Sequence, residues 1–563
     1  MPMHRIFRGF IIKAVILGIF FGCFLFFSPD AARAGGSPEF SGKYEGYNLV
    51  LIILDALRPD RLGCYGYPEK VSPNIDALAD KSVLFTNAFS ASAYTLPAVT
   101  SIFTSLYPCA HNVMDVLKDR LPDNILTLAQ VMNGQGYNTG WFGSVYDPHS
   151  GSAPGLLNGF KSISELSPFG GCGQIRDWIN LNSRDKFFLT VHSYLPHELT
   201  FPFCRADNRF SRLVSDEFKS GLDDLRQRWW DELRNMLNED PERIYPALGK
   251  IWVECNMSLF MHIPAELDAS RKKRWENVAR TMLKKYPEKV YRWAGKRLVE
   301  KKNILLRPKP VPLAGGVDGM WVNSFYDYIN SLNKKQLREF LRLLDSAIYE
   351  ADEKLVGGIV EELKARGVYD RTIIVITADH GNEYKEHGHV GHGRYLYDES
   401  IHVPLIYYLP GLNKGMRIDL LAQSIDILPT ILGLLSIPVP AQAQGMSLVG
   451  LLENKKGVAV NEVVFSQGTD GIRSLRSVKW KYIRERDDLR DGREKAAEYI
   501  FDLRKDKGEK NNLRGSRPKI AEMLRGRLDS LIKGLRKYNN GKREFLPGIS
   551  EEMREKIRKS GYW

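Results

Sequence analysis

Short apolar runs alternate with amphipathic stretches from Tyr47 to about Leu199: Asn48–Leu54, a helical pattern over Asn74–Lys81, Val83–Phe89, a helix beginning near Pro97, Asn124–Gly134, Asn138–Phe142 and Phe187–His192. Alternation of this kind predicts an α/β fold, a mostly parallel sheet covered by helices. Between about 205 and 333 the pattern changes to long charged helices, Asp216–Leu237 and Ala265–Lys302 among them, and holds six of the ten tryptophans, with Trp229, Trp230, Trp252 and Trp275 among them. An inserted helical subdomain explains this, with the indoles in its core. The α/β pattern then resumes with a helix from about Lys334 to Arg366, the run Thr372–Ile376, a strand over Val403–Leu409 and a helix over Ile425–Leu435. Pro438-Val439-Pro440 marks a boundary. Beyond it Val463–Ser466, Arg473–Arg476 and Trp480–Arg484 read as strands of a small α+β subdomain that ends in a basic helix. The domain plan is therefore residues 45–440, with the insertion at about 205–333, followed by 441–563.

The N-terminus carries His4, Arg5, Arg8 and Lys13, then an apolar run from Ala14 to Phe27, then Ala32-Arg33-Ala34. These are the parts of a secretory signal peptide, with cleavage expected after Ala34 and a periplasmic or secreted product. Left uncleaved, the run from Ile11 to Phe27 would serve as an N-terminal anchor, the one route to membrane association. Cleavage removes four basic side chains and Asp30, so the formal charge falls from +13 to +10. The basic stretches at 271–310 and from 504 onward lack an aromatic-basic signature, so they read as solvated helix faces and nucleic acid is not an expected partner. Cys64, Cys109, Cys172, Cys204 and Cys255 would remain, none in a Cys-x-x-Cys pair, which argues against a zinc knuckle or thioredoxin motif.

Candidate chemistry gathers where apolar runs end. Asn48–Leu54 ends on Asp55, and the run from Thr372 is followed by Thr377-Ala378-Asp379-His380-Gly381. Ligands in open α/β sheets bind beyond the carboxyl ends of strands, so these distant segments can converge there. Asp55, Asp379 and His380 offer two hard oxygens and a borderline nitrogen, which suits one divalent ion such as Ca²⁺, Mn²⁺ or Zn²⁺. Asp55 alone would equally serve as a helix N-cap. Glu386-His387-Gly388-His389-Val390-Gly391-His392-Gly393-Arg394 adds three imidazoles and a guanidinium among glycines, donors of the kind that a tetrahedral oxyanion needs.

These residues carry a family resemblance. The stretch from Asn48 through Asp55-Ala56-Leu57-Arg58-Pro59-Asp60 to Gly66-Tyr67, then Ser72-Pro73-Asn74-Ile75-Asp76, Leu106-Tyr107-Pro108, His392-Gly393 through Asp398-Glu399 to Val403-Pro404-Leu405, Ser424-Ile425-Asp426 and Gly445-Met446-Ser447-Leu448 resemble, in order, the sulfatase-like members of the alkaline phosphatase superfamily. The resemblance implies that Asp55, Asp379 and His380 hold a metal, and that Thr95, also at the metal, is the nucleophile heading a helix. It implies that His192 binds substrate, although its place on an apolar run equally suits a satisfied core histidine, and that His197 and His392 serve the transferred group or the leaving oxygen; the Arg394 guanidinium suits binding of an anionic substrate oxygen.

Two departures stand out. Thr95-Leu96-Pro97-Ala98-Val99 holds no Cys or Ser from which a formylglycine could form, and Gly143-Ser144-Val145-Tyr146 stands where Gly-Lys-x-His would be expected. Both shift the likeness toward threonine-dependent phosphoethanolamine and phosphoglycerol transferases. The expected function is an exported, metal-dependent sulfatase-like hydrolase acting through Thr95 on a sulfate or phosphate-type ester. Its substrate would be anionic, such as a sulfated glycan or an envelope component. The alternatives are a transferase of that kind acting on the cell envelope, and a catalytically silent binding protein on the same fold.

Overall fold

The computed structural model describes residues 43–114, 119–143, 155–164, 172–197, 208–239, 325–453, 458–485 and 497–535, with a few isolated positions besides. The expected N-terminal leader or anchor, Ser144-Val145-Tyr146, Cys204, Cys255, Trp252, Trp275 and almost all of the expected helix Ala265–Lys302 lie outside the described residues. Among the described residues no helix is long and apolar enough to cross a membrane.

The main sheet has eight described strands: β1 Asn48–Leu54, β2 Ser82–Phe89, β3 Asn138–Gly143, β4 Ser162–Ser164, β5 Phe187–Ser193 and β6 Thr372–Thr377, and then, after a two-stranded hairpin of β7 Glu383–Tyr384 with β8 Val390–Gly391, β9 His402–Tyr408 and β10 Met416–Gln423. Their order is β10-β2-β9-β6-β1-β5-β3-β4. β9 runs antiparallel to both of its neighbours and every other pairing is parallel, so the predicted mostly parallel α/β sheet is the observed architecture. β1 lies at its centre between β5 and β6, and every residue of these three strands is buried. Helices cover both faces of such a sheet, which is why the central runs are apolar throughout and do not alternate. Parallel register brings the C-terminal ends of β1, β5 and β6 together, so Asp55, His192 and Asp379 emerge side by side.

The long helix expected from Lys334 is three pieces: an α-helix Lys334–Glu350, a π-helical turn Ala351–Gly357 and an α-helix Gly358–Ala365. The turn buries Asp352, whose carboxylate accepts from the Asn74 N–H at 2.9 Å and the Ile75 N–H at 2.7 Å, capping the helix Pro73–Ala79. The helix anticipated over Asn124–Gly134 is confined to Leu128–Gly134, because Thr127 and Gln130 close a capping box at its start. From the insertion, the helix Asp216–Glu239 and the segment from Phe325 are described.

Beyond the Pro438–Pro440 boundary, β11 Val464–Gln467, β12 Arg473–Arg476, β13 Trp480–Arg484 and β14 Glu498–Asp502 form an antiparallel sheet in that order, with the helix Pro518–Leu535 against it. Alternation sends Phe465, Leu475, Tyr482 and Ile500 into one cluster with the helix residues Leu524 and Leu528. Val464, Ile483 and Phe501 face the other way, onto Phe89, Leu396 and Ile401 of the large unit. The small sheet is thus also anchored by backbone: the Gln467 N–H donates to Ala91 O at 2.9 Å and the Thr469 N–H to Gly393 O at 2.9 Å.

Candidate active site and metal centre

Thr95 opens the helix Thr95–Thr104, all ten of whose residues are buried. A helix apolar on every side belongs in an interior, and its hydroxyls are satisfied locally: Thr100 donates to Leu96 O and Thr104 to Thr100 O, both at 2.7 Å. Pro97 falls in the first turn, where a missing N–H leaves no helical bond unmade. The helix N-terminus therefore presents Thr95 together with the positive end of the helix dipole, a setting that favours an anion.

Asp55 and Asp379 are both fully buried. After Asp55 the chain turns sharply through Ala56, at φ 58°, a strained backbone for a residue with a side chain. That turn directs the Ala56 N–H to Asp379 Oδ1 at 3.2 Å, and the same oxygen accepts from the His380 N–H at 2.9 Å. Gly381 is required next: a Cβ there would lie 2.1 Å from Glu399 O. Its carbonyl lies 2.7 Å from His380 Nδ1, which places the ring proton on Nδ1 and the lone pair on Nε2. Thr95 Oγ1, 2.9 Å away, then donates to His380 Nε2. Burial lowers the His380 pKa to about 4 against the pull of Asp379, so the ring is neutral. Burial alone would raise Asp379, yet His380 and His192 hold it well below the usual carboxylate range.

The two carboxylates are faced by imidazoles. His380 Nε2 stands 3.5 Å from Asp379 Oδ2 and 3.8 Å from Asp55 Oδ1, while His192 Nε2 stands 3.4 Å from Asp55 Oδ2 and 3.7 Å from Asp379 Oδ2. His197 Nε2 is 3.9 Å from Asp55 Oδ1. His392 stacks on His380 with ring centres 4.3 Å apart, meets His197 edge to face at 5.0 Å and lies over Tyr94 at 6.3 Å. The structure thus gathers Thr95, Asp55, Asp379, His380, His192, His197 and His392 into one group. Arg394 is exposed, its guanidinium over the Tyr395 ring at 5.4 Å.

Asp55, His192 and Asp379 each offer a donor atom within 4.8 Å of the others, and Asp379 Oδ2 carries no hydrogen bond. Two buried carboxylates with nitrogen donors beside them fit a divalent cation, whose charge would offset the cost of burying both. Sequence reasoning missed Arg58 as a positioning residue. Buried, it pairs with Asp60 at 2.7 Å and Glu386 at 2.6 Å and donates to Asn382 O at 3.0 Å, tying the segment after β1 to the segment after β6. Its signal was an arginine and an aspartate two residues apart directly after a catalytic-looking aspartate.

A helix-borne hydroxyl, a carboxylate-imidazole cluster and an α/β sheet together define an ester hydrolase of the alkaline phosphatase-like type. The chain belongs to the sulfatase family, whose profile matches residues 47–169 and 172–437, and it is a sulfatase-like hydrolase. A second profile, that of the N-sulphoglucosamine sulphohydrolase C-terminal region, matches residues 385–536. The chain is similar to the ulvan-active sulfatase of Formosa agariphila, 24% identical over 505 residues that cover 86% of this chain and 80% of that protein. Its fold is similar to that of a solved 2-O GAG sulfatase, at TM-score 0.59 and 20% identity over 91% of this chain and 96% of the other. It is also similar to that of the phosphonate monoester hydrolase of Agrobacterium radiobacter, at TM-score 0.56 and 19% identity over 87% and 96%.

Proposed function

We propose that the protein is an exported, metal-dependent hydrolase of sulfate esters on an anionic glycan, and that Thr95 is its nucleophile. The observation that carries this reading is the 2.9 Å contact of Thr95 Oγ1 with a neutral His380 Nε2, at a helix N-terminus beside the paired carboxylates. A divalent ion held by Asp55 and Asp379, with His192 beside them, would polarise a substrate oxygen and lower the cost of a threonine alkoxide. Thr95 Oγ1 gives its proton to His380 Nε2 as it bonds to sulfur. The ester S–O bond breaks, its electron pair stays on the sugar oxygen, and that oxygen takes a proton from His197 or His392. Water then cleaves the Thr95 sulfate ester and the protons return. Activity of the ulvan-active relative on a sulfated polysaccharide, as its name states, supports a glycan substrate.

Purified protein and its Thr95→Ala and Thr95→Ser variants, tested on aryl sulfates, aryl phosphates and sulfated oligosaccharides, check this reading. Turnover is expected to vanish in the alanine variant and to persist in part with serine; alanine turnover equal to wild type sinks the nucleophile. Export is checked by the N-terminal mass of the secreted or periplasmic protein, expected to begin at Gly35. The threonine itself favours a second reading, transfer of a phosphoryl-linked head group to an envelope acceptor. Supplying water and a glycan acceptor together separates the two by product.

A further inference from the structure

The basic stretch from 504 onward reads in the sequence as a helix face, but residues 504–517 contain no helix, which begins only at Pro518. They form a loop with its charges sorted. Asp506 turns both carboxylate oxygens to the backbone, accepting from the Lys510 N–H at 3.1 Å and the Asn511 N–H at 2.7 Å. Glu509 is buried, accepts from the Asp398 N–H at 2.6 Å and meets Lys481 Nζ at 3.2 Å. It stands at φ 53°, a strained backbone for a residue with a side chain, so the inward carboxylate is held against a local cost. Arg504, Lys505, Lys507 and Lys510, by contrast, are all exposed, and no carboxylate between 504 and 510 is exposed beside them. An ordinary solvated surface mixes both signs, whereas a face of one sign gathers partners of the other.

This loop lies against the hairpin that leads to His392. His387, in the turn of the hairpin, has Nε2 3.1 Å from Gly508 O and 3.2 Å from Glu509 O, and Lys510 Nζ donates to Glu386 O. Five positions separate His387 from His392, no more than roughly 18 Å of extended chain. On the hairpin and just beyond it, His389 and Arg394 are exposed, both against Tyr395, the imidazole stacked at 4.1 Å and the guanidinium 5.4 Å from the ring centre. Donors for anions are thus set at two distances from the site, beside it and a short length of chain away. A small ester cannot span that spacing and a polymer can.

We infer that Arg504, Lys505 and Lys507 form a docking surface for the flanking, anionic part of a polymeric sulfated glycan whose reacting ester lies at Thr95. The inference rests on the reading of the site as one that cleaves sulfate esters on an anionic glycan, and adds that the substrate is a chain of several charged sugars held outside the pocket as well as in it. Sulfates repeated along such a chain meet exposed cations through water, so the attraction speeds capture and is screened by salt. The loop suits a glycan better than other polyanions. Residues 504–510 carry no apolar side chain to enter a bilayer and no aromatic ring to stack on a nucleic-acid base.

The test combines Arg504→Gln, Lys505→Gln and Lys507→Gln in the full chain and leaves Lys510, which bonds Glu386, in place. Binding of dextran sulfate is followed by calorimetric titration from about 50 to about 200 mM NaCl, beside turnover of an aryl sulfate. Wild type is expected to bind the polymer with an affinity that falls steeply as salt rises, and not to bind neutral dextran. The triple variant should bind about tenfold or more weakly at low salt and lose about 2–3 from the log–log salt slope, nearly one for each cation removed, with kcat and KM on the aryl sulfate unchanged. Unchanged affinity and slope in the variant overturn the inference. Loss of aryl sulfate turnover along with polymer binding also overturns it, since that marks the loop as part of the fold's support. Equal affinity of wild type for single-stranded DNA, or for phosphatidylcholine vesicles with about 30% phosphatidylserine, overturns the assignment to a glycan. Thr95→Ala separates the two readings: loop-dependent polymer binding with Thr95-independent turnover removes the nucleophile alone, and Thr95-dependent turnover with polymer binding that ignores the loop removes this inference alone.

Discussion

At the seam with the C-terminal sheet, Asp398 accepts from Arg476 Nε at 3.1 and 3.2 Å, from Arg476 Nη2 at 3.0 Å and from Lys481 Nζ at 2.7 Å, and its own N–H donates to Glu509 at 2.6 Å. At the ends of β1, β5 and β6, by contrast, Asp379 Oδ2 and both nitrogens of His192 carry no hydrogen bond. Both clusters are buried and both contain a carboxylate held well below its usual range. Burial would raise each; Arg476 and Lys481 overcome it at Asp398, and His380 with His192 at Asp379. The seam gathers its own countercharges and is complete within the fold. The strand ends leave donors pointing inward, the signature of a place built to receive something else.

The widest gap between the two clusters should appear on removing one carboxylate from the open one. Asp379→Asn is expected to lower kcat/KM by about a thousandfold or more while the melting temperature stays within a few degrees, as measured by steady-state kinetics and calorimetry. A large loss of stability instead would mean that this cluster, too, is structural. Lys481→Ala should do the reverse. Stripping half-buried Asp398 and buried Glu509 of their shared, fully buried ammonium is expected to cost about 3–5 kcal/mol in a denaturant titration, with turnover per folded molecule unchanged.

A smaller effect concerns acid. Burial lowers His111 to about 3 and His380 to about 4, whereas both rings take a proton near pH 6.5 once unfolded. Between those values the unfolded chain binds more protons, so stability should rise with pH across this window and be lost as pH falls from about 6.5 toward 3. A His111→Asn variant that melts with unchanged acid sensitivity would remove His111 from that account. The smallest effect is expected at exposed Arg394: Arg394→Ala should alter stability by less than about 0.5 kcal/mol and raise KM less than about tenfold with kcat unchanged.

Much of this was readable from the chain because the central strands are buried on both faces. Apolar runs ending in Asp55 and Asp379 could be neither surface strands nor solvated loops, and Arg473–Arg476 and Trp480–Arg484 were placed residue for residue. Direction and register were not readable: nothing in Val403–Leu409 states that β9 runs against its neighbours. β10 and β14 were missed because Met416–Gln423 and Glu498–Asp502 mix charged and apolar residues at the margins of their sheets. The π-helical turn was hidden too, since one extra residue in a turn leaves the apolar period nearly intact. Substrate contact and core both stay open for His192 in the sequence because its run is apolar up to it, and no local pattern tells which groups meet the end of a strand. That depends on β1 and β6 lying alongside it.

The backbone bonds from Gln467 to Ala91 and from Thr469 to Gly393 reach the loop ahead of Thr95 and the loop that carries His392. The C-terminal sheet is therefore a brace for the candidate site and not an appendage. Cutting the gene at the proline boundary, or grafting on a foreign tail to change specificity, would release both loops at once, so redesign of this enzyme has to treat both units as a single piece.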